Sequence, residues 1–209
     1  MESSYPLPRP VRHTARAMIA RRPLVAKACS PEPTGVAGLD LIVRNFCLDD
    51  PGPVAQAVKI AGRYGIKRHV LIPAFALCWA AGSHRDLPAL KRAGKVGVTG
   101  VVATALVSEV IKRNLCRSRP CDCGDAGEWG TEGARSFPSG HAGSAFAAAT
   151  AIACTVGDRR IGAGLFLTAG VLAGGRVYAD RHWTSDVVAG AVLGTAVTAL
   201  AAWWLGVRR

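Results

Sequence analysis

Acidic side chains are scarce in this chain: 14 Asp and Glu stand against 26 Lys and Arg, a formal charge of +12. A balance this basic points to nucleic acid, an anionic membrane surface or an anionic substrate. No nucleic-acid-binding motif accompanies the charge, and the basic residues gather at the ends of apolar runs. That positional bias favours a membrane bilayer and a phosphate group over nucleic acid as partners.

Also missing is a disulfide framework, because the 7 cysteines are odd in number and scattered. Cys78 and Cys154 fall inside apolar runs and read as small buried hydrophobes. Cys116, Cys121 and Cys123 share a loop with Asp122 and Asp125. They form no Cys-x-x-Cys pair and have no second ligand cluster, which favours an incidental loop or a local disulfide over a metal site. Aromatic residues are few as well, 6% of a chain that is 50% hydrophobic, and 24 glycines with many alanines take their place. Small residues at that density suit helices that approach closely in lipid, where packing drives association.

Long uncharged runs are nearly absent. Only Val187 to Val207, with 21 residues, matches by itself a hydrocarbon core of about 30 Å at about 1.5 Å per residue. Four shorter apolar runs precede it: His69 to Gly82, Val96 to Ile111, Ala142 to Gly157 and Ile161 to Gly175. With 14 to 16 residues each, they reach across a bilayer only if flanking polar residues are included, so a soluble all-helical core stands as the competing reading.

Residues 1–35 are rich in Pro and Arg and bury too little to fold alone, which predicts a disordered basic tail ahead of a membrane-embedded domain over residues 36–209. Between Gly35 and Cys47 the apolar residues Val36, Leu39, Ile42, Val43 and Phe46 recur at helical spacing, but Asp40 and Arg44 argue against a span. This segment and Val54 to Gly62 read as amphipathic helices at the membrane surface or against the bundle. The fold class expected is all-α, a helical transmembrane bundle of five to six spans. Basic residues in Ser83 to Lys95, at Arg159-Arg160 and at Arg208-Arg209 fall on one side of five spans, which the positive-inside rule makes cytoplasmic.

Three polar stretches interrupt the apolar sequence and fall on the opposite face: Lys112 to Pro120, Pro138 to His141 and Arg176 to Asp186. Charges beside a membrane core are costly and call for a function. Lys112, Arg119 and Arg176 supply fixed positive donors for a phosphate. Pro138 suits a first helical turn, leaving the N–H groups near Gly140 and His141 at a helix N-terminus, with the Ser139 hydroxyl as a further donor. His182 and Asp186 are four apart, so on a helical turn the carboxylate lies over the ring, fixing its tautomer and stabilising its positive charge. Two histidines with different neighbours make a nucleophile and an acid/base, although the residues alone do not say which attacks.

Lys-x6-Arg-Pro, Pro-Ser-Gly-His and Arg-x5-His-x3-Asp, in this order, resemble the three-part motif of the type 2 phosphatidic acid phosphatase family, which also includes vanadium-dependent haloperoxidases. The resemblance covers about residues 66 to 207 and departs at Gly175, where the family usually has Ser. It implies a metal-independent membrane phosphatase, without cofactor, acting on lipid phosphates or diphosphates. His182 would form a phosphohistidine, Asp186 would orient it, and His141 would serve as the acid for the leaving group and then as the base for water. Lys112, Arg119, Ser139, Gly140 and Arg176 would hold the phosphoryl oxygens. A haloperoxidase-like enzyme and a non-catalytic anion-binding membrane protein or transporter are the alternatives. A bacterial inner membrane with the site on its periplasmic face is the expected location.

Overall fold

The computed structural model describes residues 34–49, 52–64, 67–122 and 124–207. The tail expected over residues 1–35 falls, as far as residue 33, outside the described residues, as do Cys123 and the Arg208-Arg209 pair. The described residues form helices and loops with no strand. The helices are α1 (Gly35–Asp49), α2 (Pro53–Tyr64), α3 (Arg68–His84), α4 (Pro88–Leu115), α5 (Gly140–Val156), α6 (Arg159–Tyr178) and α7 (Thr184–Trp204). Helices α3 to α7 follow the five apolar runs in order, and α1 and α2 the two amphipathic segments.

Local chemistry sets the boundaries. Pro88 in the first turn starts α4 eight residues before the apolar run, so Lys91, Arg92 and Lys95, expected in a loop, are carried on an exposed helical end. The turn between α3 and α4 shrinks accordingly to Arg85–Leu87. Helix α5 begins at Gly140 behind an N-cap Ser139, so Pro138 lies before the cap and not in the first turn. The reason is the Ser139 side chain, which accepts from the Ala142 N–H at 3.5 Å as an N-cap hydroxyl does. Asp158 caps α6 by accepting from the N–H groups of Arg160 and Ile161 at 2.7 and 3.3 Å.

Helix α5 sits centrally, packed on α4, α6 and α7, while α3 lies along α4, and α2 lies against α6. The cores between them are made largely of alanine: Ala142, Ala145, Ala147, Ala148, Ala149 and Ala151 of α5 are all buried. Gly194 of α7 approaches the backbone of Gly143 so closely that a Cβ there would overlap the Gly143 carbonyl. Large apolar side chains point the other way, with Leu106, Leu167, Val192, Leu200 and Trp204 exposed. A water-soluble bundle would bury those and expose the small residues, so the inverted arrangement speaks for lipid. Helices α4, α6 and α7 are long and apolar enough to cross a membrane, and α5 is a shorter apolar helix among them. The structure thus favours the membrane bundle over the soluble core.

One cysteine expectation needs correction. Cys78 and Cys154 are half-buried, with Cys154 packed at the edge of the hydrophobic core and not inside it. Cys116 and Cys121 are both free thiols.

Candidate active site

The C-terminal ends of α4 and α6 and the N-terminal ends of α5 and α7 meet at one end of the bundle. A cavity of about 560 Å³ opens there, lined by Lys112, Arg119, Gly140, His141 and His182 of the three polar stretches. Ser139, Arg176 and Asp186 are buried beside these residues and do not form its lining. The lining also includes residues that the motif reading did not select: Lys67, Arg68 and His69 at the start of α3, Glu109 and Ser144, and Arg135 of the loop before α5. Glu109 bonds both Arg113 and Arg135, so the one acid of the cavity wall is already matched by cations.

His182 lies in the connection between α6 and α7, not on a helical turn with Asp186. Asp186 occupies the third position of α7, where its Oδ2 accepts from the Trp183 N–H at 3.0 Å and so ties down the helix start. The same oxygen lies 3.6 Å from His182 Nδ1, a distance of charge contact and not of a hydrogen bond, and accepts from Ser136 Oγ at 2.5 Å. This leaves Nε2 as the ring nitrogen available to the cavity. Asp186 Oδ1 accepts from Arg117 Nη1 at 2.6 Å. Ser136 and Arg117 were both missed: Arg117 lies inside the first polar stretch and Ser136 two residues before the second, but no periodicity or spacing distinguishes them from loop residues.

Backbone contacts join the stretches. The Ser139 N–H donates to the Asp186 carbonyl at 2.9 Å, which fixes the start of α5 against the start of α7. Lys112 Nζ donates to the carbonyl oxygens of Arg135, Ser136 and Pro138 at 3.0, 3.4 and 2.5 Å. Its three protons are thus directed at the loop that delivers Ser136 and His141, so in this arrangement Lys112 shapes the site as well as charging it. Arg176 donates from Nη1 to the Gly62 carbonyl at 3.3 Å, while its Nε has no partner. An unpaired buried guanidinium donor is a place where an anion would be welcome.

Burial holds His182 below the ordinary imidazole range, with Asp186 opposing that shift and the Lys112 and Arg119 charges adding to it. A lowered value means that the ring stays neutral, and nucleophilic, to lower pH. The acid limb of kcat/KM, corrected for substrate ionisation, is therefore expected below about 6.5. Asp186→Asn takes away the group that supports the imidazolium and should move the limb lower still. A limb above the ordinary histidine value would contradict this account.

The structure is thus a helical bundle with three helices long and apolar enough to cross a membrane and a cationic, two-histidine cavity at one end. A family model of the PAP2 superfamily matches residues 96–209, more than half of the chain, and the protein belongs to that superfamily. No curated protein matches the sequence. Among solved structures, the crystal structure of Aquifex aeolicus LpxE aligns with a TM-score of 0.57 at 22% identity, covering 83% of this chain and 98% of that one. At that identity the likeness speaks for the fold. The family match begins inside α4, so α1, α2 and α3, with Asp40, Gly62 and the Lys67 to His69 cluster, lie outside it.

Proposed function

We propose that the protein is an integral membrane phosphatase that hydrolyses lipid phosphate monoesters or diphosphates through a phosphohistidine. The observation that carries this reading is His182 in the wall of a cation-lined cavity, with Asp186 against its Nδ1 and His141 lining the same space. Superfamily membership supports it. Nε2 of His182 attacks phosphorus, and the P–O bond to the lipid breaks as the P–N bond forms. With the substrate's negative charge beside it to favour the imidazolium, His141 gives its proton to the leaving oxygen, then takes a proton from water as water cleaves the P–N bond. Asp186 stabilises the ring charge, and Lys112, Arg119, Arg176, Ser139 and the backbone at Gly140 stabilise the oxygens of the pentacovalent transition state.

The basic end of α4 and the Arg159-Arg160 turn lie at the end of the bundle away from the cavity. By the positive-inside rule this supports a site on the outer, periplasmic face of a bacterial inner membrane. Phosphatidic acid, phosphatidylglycerol phosphate and polyprenyl diphosphate are the substrates to try first. Purified protein in detergent should release phosphate from at least one of them, retain the activity in excess EDTA, and be inhibited by vanadate as a mimic of the five-coordinate phosphorus. Bromide oxidation with vanadate and peroxide, in place of phosphate release, would reverse the reading, and loss of activity in EDTA would end the metal-free mechanism.

A further inference from the structure

Arg117 is buried between the rings of Trp129 and Trp183, 4.7 and 5.7 Å from their centroids. Its fork is fully engaged. Nε and Nη2 donate to the Ala126 carbonyl at 3.2 and 2.6 Å, Nη1 to Ser185 Oγ and Asp186 Oδ1 at 2.7 and 2.6 Å, and Nη2 to Asp40 Oδ2 at 2.7 Å. Asp40 comes from α1 and is held in turn by the Ser185 N–H, 2.8 Å from Oδ1, and the Ser185 hydroxyl, 2.5 Å from Oδ2. Asp40 and Arg117 are each 2% exposed and Asp186 is fully buried, so solvent does little to screen them.

An arginine paired with Asp186 alone would neutralise the charge on which a reacting histidine depends. A second buried carboxylate on the same guanidinium restores it: Asp40, Arg117 and Asp186 together carry one negative charge, which His182 cancels only when it becomes positive. We propose that Arg117 and Asp40 are positioning residues of the site, Arg117 holding the Asp186 carboxylate against His182 and Asp40 keeping that carboxylate's charge available to the ring. Helix α1, beyond the family match, thereby completes the site. This inference rests on His182 as the nucleophile.

The charged and titratable groups around His182 are Asp186 on α7, Lys112 on α4, Arg119 on the loop that follows, and His141 on α5. Of these only Asp186 favours the protonated ring, so the balance at Asp186 is decisive. The test uses the full chain in detergent, with ring-labelled histidine read by NMR and phosphate release measured on the best lipid phosphate. Asp40→Asn should lower the His182 titration by about one unit and kcat by about 10- to 100-fold, with KM within about twofold. Asp40→Glu should restore most of kcat. Arg117→Lys keeps the charge but loses the fork, and should lower kcat by about 10-fold or more at unchanged KM. An Asp40→Asn protein with an unmoved titration and kcat overturns the proposal, as does Arg117→Lys with full kcat should Asp40→Asn fail to fold. The titration needs no turnover, so an inactive wild type that still shows the shift would count against the phosphatase reading and not against this one.

Discussion

Replacing His182 by Ala should lower phosphate release by about 10⁴-fold or more, the cost of removing a nucleophile from a site that works as a unit. The protein should still insert and fold, because the ring holds no hydrogen bond on which a helix start depends: the start of α7 is secured by Asp186 to Trp183, and that of α5 by Ser139. A trapping experiment separates the two histidines. Wild-type protein mixed with a labelled substrate and quenched should carry an acid-labile phosphoryl group, and His182→Ala should carry none. His141→Ala should keep the ability to accept the phosphoryl group from a substrate with a good leaving group, yet release it slowly, so label accumulates. Label in His182→Ala but none in His141→Ala would exchange the two roles. Unchanged turnover in His182→Ala would remove the mechanism altogether.

How far the sequence speaks depends on whether a residue's partner is near in the chain. Helix positions came from apolar periodicity and small residues, which are local, and all five apolar runs became helices. The motif residues that line the cavity could be named because type and spacing limit what they do. Asp40 shows the opposite case. A charge on an apolar helix argues against a span, but Asp40 is buried, and the partner that compensates its burial is 77 residues away. Arg117 and Arg119 are both arginines of one polar stretch, and only the fold tells that Arg117 turns inward to two carboxylates while Arg119 faces the cavity. Lys112 was legible as a cation but not as the donor that closes the Arg135 to Pro138 loop.

Gly175 is where the same limit gives a prediction. Against the family pattern it removes a possible hydroxyl donor while leaving the charges and both histidines in place. The fold gives the residue another task. A Cβ at Gly175 would overlap the Val58 carbonyl and the backbone of Gly62, and one at Gly62 would overlap Gly175, so α2 and α6 touch backbone to backbone. No side chain lies there to move aside, and relief requires the helices to part. Gly175→Ser is therefore expected to destabilise the protein by about 1–3 kcal/mol, the usual cost of overpacking a close contact. Activity should fall too, because Arg176 is held by the Gly62 carbonyl and would follow α2 outward. Thermal unfolding in detergent and kcat/KM on one substrate check both halves: Gly175→Ala should share the loss of stability, since it adds the same Cβ without a hydroxyl. A Gly175→Ser protein as stable as the wild type and more active would mean that α2 does not sit this close, and would return the residue to the phosphate site.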